Sequence, residues 1–333
     1  MNSHRLSLVC GPAVVSATPP APAPSRGDPA RALAAQAFPL RSTVPGGPDT
    51  DLAAFGTMLR DAEVVGAGAA THGSGEFGTV RHRLFRYLVD HHGFRGLVLG
   101  IHPRAGARLD AWVRHGTGHL KTIMDEEFRA DDSPWNTLET LDVFRWMRLW
   151  NVRGAPGAVR VLGIGSELSG ADRAAAAADG VIRWQRRIGA GVFVFAHNRE
   201  VAAGSGAGDE PPNAGRALRE RLGDRYANVG FTFGQGSFGA VDATAPGRPR
   251  RRFDLGPTGP GAAEFVLGRV CRRDWYLDTR TIAPGLARDW LADAHPTRGV
   301  GLVWPCDEYT NTRLRPTYDI LVHLHHVGAA HHR

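Results

Sequence analysis

Six short apolar runs, separated by longer amphipathic segments, constrain the fold of this chain most strongly. None of the runs alternates strictly between apolar and polar residues, which is typical of strands that are buried on both faces. Strands that alternate with helix-length segments indicate βαβ units. The sequence therefore predicts an α/β protein with a mainly parallel sheet flanked by helices. The predicted strands are Val64–Ala70, Gly96–Ile101, Val159–Ile164, Gly191–Ala196, Asn228–Phe233 and Gly299–Trp304.

Three segments between the strands have the periodicity of amphipathic helices, namely Gly75–Asp90, Leu138–Trp150 and Ala171–Arg187. In the first of them, apolar residues recur at spacings of three and four and form one face. Arg81 projects within this apolar arc, and a buried cation needs an anion, a pocket or a path to water. Two other segments, Val201–Asn213 and Ala245–Gly259, have the Gly- and Pro-rich composition of mobile loops.

The distribution of Ala and Pro divides the chain into two parts. Residues 1–36 predict a disordered extension, and residues 37–333 predict a single domain. The start of the chain is a poor candidate for a signal peptide, because its apolar segment is weak and is interrupted by Gly11 and Pro12. We therefore expect a cytoplasmic protein, with secretion left open. No uninterrupted apolar run approaches the ~18 residues of a membrane span, so none is expected.

Charge and cysteine placement argue against several functional classes. The net charge of +7 comes from arginines interspersed with acidic residues, and Lys121 is the only lysine. This pattern favours a mixed surface over nucleic-acid binding. The three cysteines have no metal-ligand spacing, and neither GxGxxG nor GxSxG occurs in the required context. Histidines at 323, 325, 326, 331 and 332 lie in a helix-like segment without nearby acidic or Cys ligands, so we expect surface positions. The sequence predicts neither a metal nor a cofactor.

Polar residues follow each predicted strand. Ligands of parallel sheets bind where the strands end, because adjacent loops diverge there. Three histidines, at 72, 102 and 197, come to this one edge, which predicts a site there. The segments after the strands are Thr71–Glu76, His102–Arg104, Ser166–Glu167, His197–Glu200, Gly234–Ser237 and Pro305–Glu308.

The run Ala70–Phe77 with the helix after it resembles the Gly-Glu-x-Thr-His-Gly motif and following helix of the erythromycin esterase family. Further runs resemble later motifs of that family in the same order, and together they span roughly residues 37 to 325. These runs are Pro134–Thr137 leading to Trp146–Arg148, then Ala196–Asn198, Gly230–Phe238 and Leu277–Arg280. The resemblance implies an erythromycin-esterase-like fold, in which a helical portion between the second and third strands partly covers the site.

The resemblance also implies roles for individual residues. His72 occupies the position of a general base that acts on water in the hydrolysis of macrolactone esters. Arg81 matches a nearby basic residue, and His197 matches the first histidine of a His-Asn-x-His run. We add Glu76 as a fourth catalytic candidate. The candidate substrate-binding residues are His102, Trp135, Glu167, Glu200 and Phe233.

Several acidic residues of the family pattern are replaced in this chain, at Ala69, Gly100 and Gly165, and Glu200 replaces the second histidine. A carboxylate beside an imidazole fixes its tautomer and stabilises the imidazolium. Three functions therefore stay open. The first is ester or lactone hydrolysis of a hydrophobic secondary metabolite, polyketide- or macrolide-like. The second is a non-hydrolytic elimination or ring closure, as a lyase or cyclase of natural-product biosynthesis, and the third is a ligand-binding pseudoenzyme.

Overall fold

A ten-stranded, mainly parallel sheet forms the centre of the protein. The computed structural model describes residues 27–129, 133–165, 170–204, 212–306 and 308–333. The strands are β1 Phe38–Pro39, β2 Val64–Ala67, β3 Phe94–Leu99, β4 Arg160–Gly163, β5 Gly191–Phe195, β6 Tyr226–Asp242, β7 Arg250–Leu255, β8 Trp275–Asp278, β9 Ala294–Arg298, β10 Val303–Trp304, β11 Tyr309–Arg313 and β12 Ile320–Val327. Their order is β1-β8-β12-β6-β2-β5-β3-β4, with β7 and β10 paired to β6, while β9 and β11 form a separate pair.

Helices cover both faces of the sheet. The α-helices are α1 Pro29–Ala34, α2 Ala53–Met58, α3 Gly75–His91, α4 Pro103–His115, α5 Leu120–Glu127, α6 Leu138–Val152, α7 Ala171–Ile188, α8 Asn198–Val201, α9 Ala214–Leu222, α10 Ala263–Leu267, α11 Leu286–Ala292 and α12 Leu314–Thr317. Two 3₁₀ helices span Thr50–Leu52 and Gly223–Arg225. The three predicted helices are confirmed as α3, α6 and α7. No helix in the described part of the chain is long and apolar enough to span a bilayer.

Burial on both faces explains the apolar character of the strands. In β5, Phe193 and Phe195 pack into the cluster that includes α3 and α6, whereas Val192 and Val194 pack against α7 and α9. Successive side chains of a strand point to opposite faces, so a strand with both faces covered is apolar throughout. The predicted α/β class with a mainly parallel sheet is therefore confirmed.

Five of the six predicted strands correspond to β2 through β6, and the sixth is only partly correct. Within Gly299–Trp304, only Val303–Trp304 forms a strand, β10, which pairs in parallel with the last residues of β6. The predicted loop Ala245–Gly259 is wrong at its centre, because β7 pairs antiparallel with β6 there. Of the other predicted loop, residues 205–211 lie outside the described residues.

The histidine-rich run near residue 323 is a strand rather than a surface helix. It belongs to β12, which lies between β8 and β6. His323 is fully buried, its Nδ1 lies 2.9 Å from Thr232 Oγ1, and its ring packs 5.7 Å from that of Trp275. One hydrogen-bond partner and an aromatic neighbour thus allow this imidazole to occupy the core. The predicted surface position is therefore wrong for His323, whereas His326, His331 and His332 are exposed as predicted.

The domain begins earlier than residue 37. Residues 1–26 lie outside the described residues, but Pro29–Ala34 forms α1. Asp28 caps this helix by accepting a hydrogen bond from Ala30 N–H at 3.1 Å. Leu33 is fully buried, so α1 contributes to the core rather than to the predicted extension.

Candidate functional site

Hydrogen bonds fix the loop that carries His72 after β2. Thr71 Oγ1 accepts a hydrogen bond from Gly73 N–H at 3.0 Å. Ser74, the residue before α3, donates from its hydroxyl to Ser237 O in β6 at 3.0 Å. The polar residues of this motif thus hold the backbone on both sides of His72, so the imidazole projects from a rigid support.

The glycine after His72 is required by a close approach of two backbones. Gly73 O accepts hydrogen bonds from Gly239 N–H at 2.9 Å and from Ala330 N–H at 2.8 Å. A Cβ at position 73 would lie 1.9 Å from Gly239 O. The loop and β6 could not keep this contact with any larger residue.

A narrow cavity that opens to solvent lies beside His72, and its enclosed part has room for about one water molecule. Its walls come from the His72 loop, α3, the ends of β3 and β5, and the segment leading into α6. The predicted helical portion between β3 and β4 therefore does cover part of the site. The lining residues are His72, Ser74, Gly78, Arg81, Leu97, Leu99, Pro134, Trp135, Thr137, Glu139, Thr140, Val143, Phe144, Phe195 and Ala330.

Arg81 enters this cavity from the buried face of α3. Its Nε donates to Phe77 O at 2.9 Å, its Nη1 donates to Ala196 O at 3.2 Å, and its guanidinium carbon lies 4.8 Å from the Phe195 ring centre. Within the described residues, no carboxylate forms an ion pair with it. Burial lowers the pKa of Arg81 to about 10, so the side chain stays cationic at neutral pH.

Two imidazoles lie side by side at the cavity. The ring centres of His72 and His197 are 5.3 Å apart, and Trp135 meets His72 edge-on at 6.2 Å. Burial, followed by the nearby His197, Arg81 and Arg250, holds the pKa of His72 well below its usual value. Burial and then the charge of Arg199 lower the pKa of His197 to about 4. Both rings are therefore neutral at pH 7 and able to accept a proton.

His197 also begins helix α8, in a capping box with Glu200. His197 Nδ1 accepts from Arg199 N–H at 3.3 Å, and Glu200 Oε2 accepts from His197 N–H at 2.7 Å. The Nε2 atom of His197 is buried, and the backbone of Val300 and Ala70 close to the ring partly opposes the lowering of its pKa. Burial raises the pKa of Glu200, and the backbone bond and the charge of Arg81 only partly oppose this. Glu200 therefore interacts electrostatically with Arg81 without pairing with it.

Asn198 is a structural residue beside the candidate catalytic His197. Its amide nitrogen donates to Phe231 O at 2.6 Å, and its Oδ1 accepts from Phe231 N–H at 3.1 Å. The buried side chain of Asn198 therefore joins α8 to the backbone of β6. The His-Asn motif thus couples one candidate catalytic residue to one residue that fixes its helix.

Replacing Asn198 with alanine should lower the free energy of unfolding by about 2 kcal/mol, because the buried N–H and C=O of Phe231 would lose their partners. Urea unfolding followed by circular dichroism measures this. The control is Asn311→Ala in the exposed strand β11, for which we expect a change within about 0.5 kcal/mol. Equal losses in the two variants would contradict the assignment.

The structure places the other candidate residues unevenly. Trp135 lines the cavity, and its Nε1 donates to Gly100 O at 3.3 Å. His102 is exposed and caps α4 through a bond from Arg104 N–H, so it stands apart from the cavity. Phe233 is fully buried in the core, away from the cavity lining, which corrects its proposed contact with substrate.

The two remaining acidic candidates also lack a described place in the cavity wall. Glu76 Oε2 accepts a hydrogen bond from Gly328 N–H at 2.6 Å, so its carboxylate fastens a neighbouring segment. Glu167 lies outside the described residues. Ala69 and Gly100 stand at two positions where the family pattern has an acidic residue. Ala69 is buried in the core, and Gly100 contributes only its carbonyl oxygen, which accepts the bond from Trp135.

Sequence reasoning missed Glu139, the acidic residue among the cavity-lining residues. It lies in the first turn of α6 and is 9% exposed. Burial acts to raise its pKa, but hydrogen bonds from His331 and from its own backbone outweigh this effect, so the net pKa is lowered. Its position after the helix cap Thr137, on the inward side of a predicted helix, is the signal that could have identified it.

Sequence reasoning also missed the strap, residues 328–333, which lies against the His72 loop and the start of α6. Ala330 of the strap lines the cavity. Several hydrogen bonds fasten the strap, among them Gly328 N–H to Glu76 Oε2 at 2.6 Å, Ala330 N–H to Gly73 O at 2.8 Å, and Arg333 Nη2 to Asp125 Oδ1 at 3.1 Å. A segment that is held by such distant contacts leaves no local pattern in the sequence.

Several solved structures share this fold. A succinoglycan biosynthesis protein matches with a TM-score of 0.77 and 20% identity, over 91% of this chain and 97% of that chain. A Bacillus cereus protein matches with a TM-score of 0.78 and 20% identity, over 92% and 98% of the two chains. A histidine-to-asparagine mutant of the erythromycin esterase EreC, in its open conformation, matches with a TM-score of 0.64 and 14% identity, over 85% and 95%. These likenesses concern the fold alone.

A comparison with curated protein sequences gave no match. The sequence model of the erythromycin esterase family matches residues 89–166 and 158–327, which together span most of the chain. The matched residues include His197 and Glu139 and begin after His72 and Arg81. The extent of this match, together with the shared fold, shows that the chain belongs to the erythromycin esterase family.

Proposed function

We propose that this protein hydrolyses an ester or lactone bond in a hydrophobic, polyketide- or macrolide-like metabolite, with His72 as the general base. The observation that supports this most is that a neutral imidazole, His72, and a buried cation, Arg81, line the same cavity. The esterase name of the family points to the same reaction class.

In the proposed reaction, His72 takes a proton from a water molecule as that water attacks the carbonyl carbon. The negative charge that develops on the carbonyl oxygen is stabilised by Arg81, whose guanidinium is already held by two backbone carbonyls. Such preorganisation avoids the cost of reorienting the donor during the reaction. His197 is the partner of His72 or a proton shuttle, because its ring centre lies 5.3 Å from that of His72.

The direct test is an assay of acid release by the purified full chain. Carboxylic esters and macrolactones of increasing size would be supplied at constant pH, and the base needed to hold that pH would be recorded. We expect release of one equivalent of acid per bond, and a preference for esters with an apolar acyl group because the cavity includes apolar wall residues such as Leu97, Val143 and Phe144. Absence of turnover across the whole panel would refute the proposal.

The pH dependence gives a second test. The base must be neutral, and the pKa of His72 is well below 6.5, so the fall of kcat/KM in acidic solution should begin only below pH 6.5. An imidazole with an ordinary pKa would instead lose half of its activity near pH 6.5. A rate profile with circular dichroism at each pH separates loss of the base from unfolding. A half-maximal point of the acidic fall at or above pH 6.5 would contradict the assignment of His72.

A non-hydrolytic reaction is a second candidate, favoured by one observation. The ring nitrogens of His72 form no hydrogen bond with any described residue, so no carboxylate in the described part of the chain orients this imidazole or supports its protonated form. A base of this kind suits abstraction of a proton from carbon, followed by elimination or ring closure. Loss or rearrangement of a metabolite without acid release, detected by mass spectrometry and absent in a His72 variant, would favour this candidate over hydrolysis.

A further inference from the structure

A hydrogen-bonded acid–imidazole pair lies at the edge of the cavity, away from His72 and His197. Glu139 Oε1 lies 2.8 Å from His331 Nδ1, and the same carboxylate accepts from His331 N–H at 3.2 Å. Glu139 lines the cavity, and so does Ala330, the residue before His331. The pair therefore joins the cavity wall to the strap.

The two members of the pair differ in exposure. The Glu139 side chain is 8% exposed and that of His331 is 74% exposed. Because Nδ1 is held by the carboxylate, the Nε2 atom is the free end of the ring, and it forms no hydrogen bond with any described residue. A carboxylate that holds one ring nitrogen fixes the tautomer and orientation of the imidazole and stabilises its protonated form.

The charged groups around His331 favour its protonated form. Glu139 faces it from α6 and Glu76 acts on it from α3, and both raise the pKa of His331. The neighbouring His332 is different, because burial and the charge of Arg250 lower its pKa to about 4. Of the two histidines in the strap, His331 therefore favours its protonated form, and His332 is neutral at pH 7.

We propose that His331, held by Glu139, is the general acid that donates a proton from Nε2 to the departing alcohol. This role rests on the proposed hydrolysis, and it means that the departing alcohol lies next to the strap.

The proton balance of the reaction is complete with these groups. His72 takes a proton from water, and the resulting hydroxide forms a bond to the carbonyl carbon. The bond between that carbon and the alkoxide oxygen then breaks, and the alkoxide takes the Nε2 proton of His331. His72 returns its proton and His331 regains one through solvent, which reaches the exposed ring. The net change is ester plus water to acid plus alcohol, and Glu139 stays ionised throughout.

A general acid matters only when the leaving group is a poor one. We therefore compare an activated aryl ester with an unactivated alkyl ester of the same acyl group, in the full chain and in the variants His331→Gln and His332→Ala. Glutamine keeps a donor toward Glu139 but carries no transferable proton at neutral pH, so it retains the strap contact and removes the acid. His332→Ala is the matched control in the same strap.

We expect His331→Gln to lower kcat for the alkyl ester by about 10²-fold, and for the aryl ester by less than about threefold. The wild-type alkyl-ester rate should fall in alkaline solution as His331 loses its proton, and this fall should be missing in His331→Gln. Glu139→Gln should move the fall to lower pH, because the charge that favours the protonated ring is removed.

An equal loss on both esters, or no loss on either, would overturn the inference and leave His72-dependent hydrolysis intact. Failure of the wild-type chain to cleave even the aryl ester would instead refute the proposed function, and the role of His331 with it. An alkyl-specific loss in His332→Ala equal to that in His331→Gln would also overturn the assignment, since it would place the effect in the strap as a whole.

Discussion

Replacing His72 with alanine should lower kcat/KM for ester hydrolysis by about 10²- to 10⁴-fold, the range expected for loss of a general base. The ring is neutral at pH 7 because burial and the adjacent His197, Arg81 and Arg250 hold its pKa low. An attacking water in the variant would have to release its proton without an adjacent base. Initial rates of acid release at pH 7.5, with the Michaelis constant fitted separately, measure the effect.

The matched control for this variant is His102→Ala. His102 also follows a strand of the sheet, but its imidazole is exposed and only caps α4. We expect its kcat/KM to change by less than about twofold, since loss of one exposed cap costs only about 1 kcal/mol of stability. Retention of more than a tenth of the activity in His72→Ala, with the fold intact, would remove His72 from the mechanism.

Replacing Arg83 with alanine should produce the largest loss of stability, about 3–5 kcal/mol, because it would leave Asp51 buried without its cation. Arg83 Nη2 lies 2.7 Å from Asp51 Oδ1, and the two side chains are only 3% and 2% exposed. Arg83 also donates to the backbone carbonyls of Ser42 and Pro48. The ion pair thus holds the segment before α2 against α3.

Urea unfolding of Arg83→Ala and Asp51→Asn, followed by circular dichroism, tests this prediction. The control is Arg60→Ala, because the pair between Arg60 and Asp61 is 71% and 82% exposed and should contribute less than about 1 kcal/mol. Burial alone would raise the pKa of Asp51, but Arg83 and the backbone of Arg41 lower it below 3.8. The contribution of the pair should therefore persist above that pH and disappear as the solution is acidified through the lowered value. A loss in Arg83→Ala no larger than that in the control would contradict the assignment.

The sequence predicted those parts of the fold in which local pattern and burial agree. β5 is apolar along its whole length because Phe193 and Val194 meet different helical layers, and such a run is visible without any structure. The strand β12 was missed because His323 has a polar side chain, although it is buried in the core beside Thr232 and Trp275. The strand β7 was missed because its pairing with β6 is a tertiary contact, and its run of arginines resembles a loop.

The candidate site was predictable to a similar extent. Strand ends and the family motif indicated His72 and His197, and helical periodicity placed Arg81 on a buried face. Glu139 was not predictable as a partner of His331, because 192 residues separate them and only the folded chain brings them together. The catalytic role of Glu76 loses support for a related reason, since its carboxylate is occupied by Gly328 N–H.

The close contact between Gly73 and Gly239 has a consequence for how this scaffold could acquire new substrates. Where two backbones meet without side chains, no substitution can remove side-chain atoms, so the cavity cannot be enlarged at the His72 loop. Other parts of the wall are built from side chains of α6, including Thr140 and Val143, and from the strap. Diversification of substrate size on this scaffold should therefore be concentrated in α6 and the strap, while the base keeps its place.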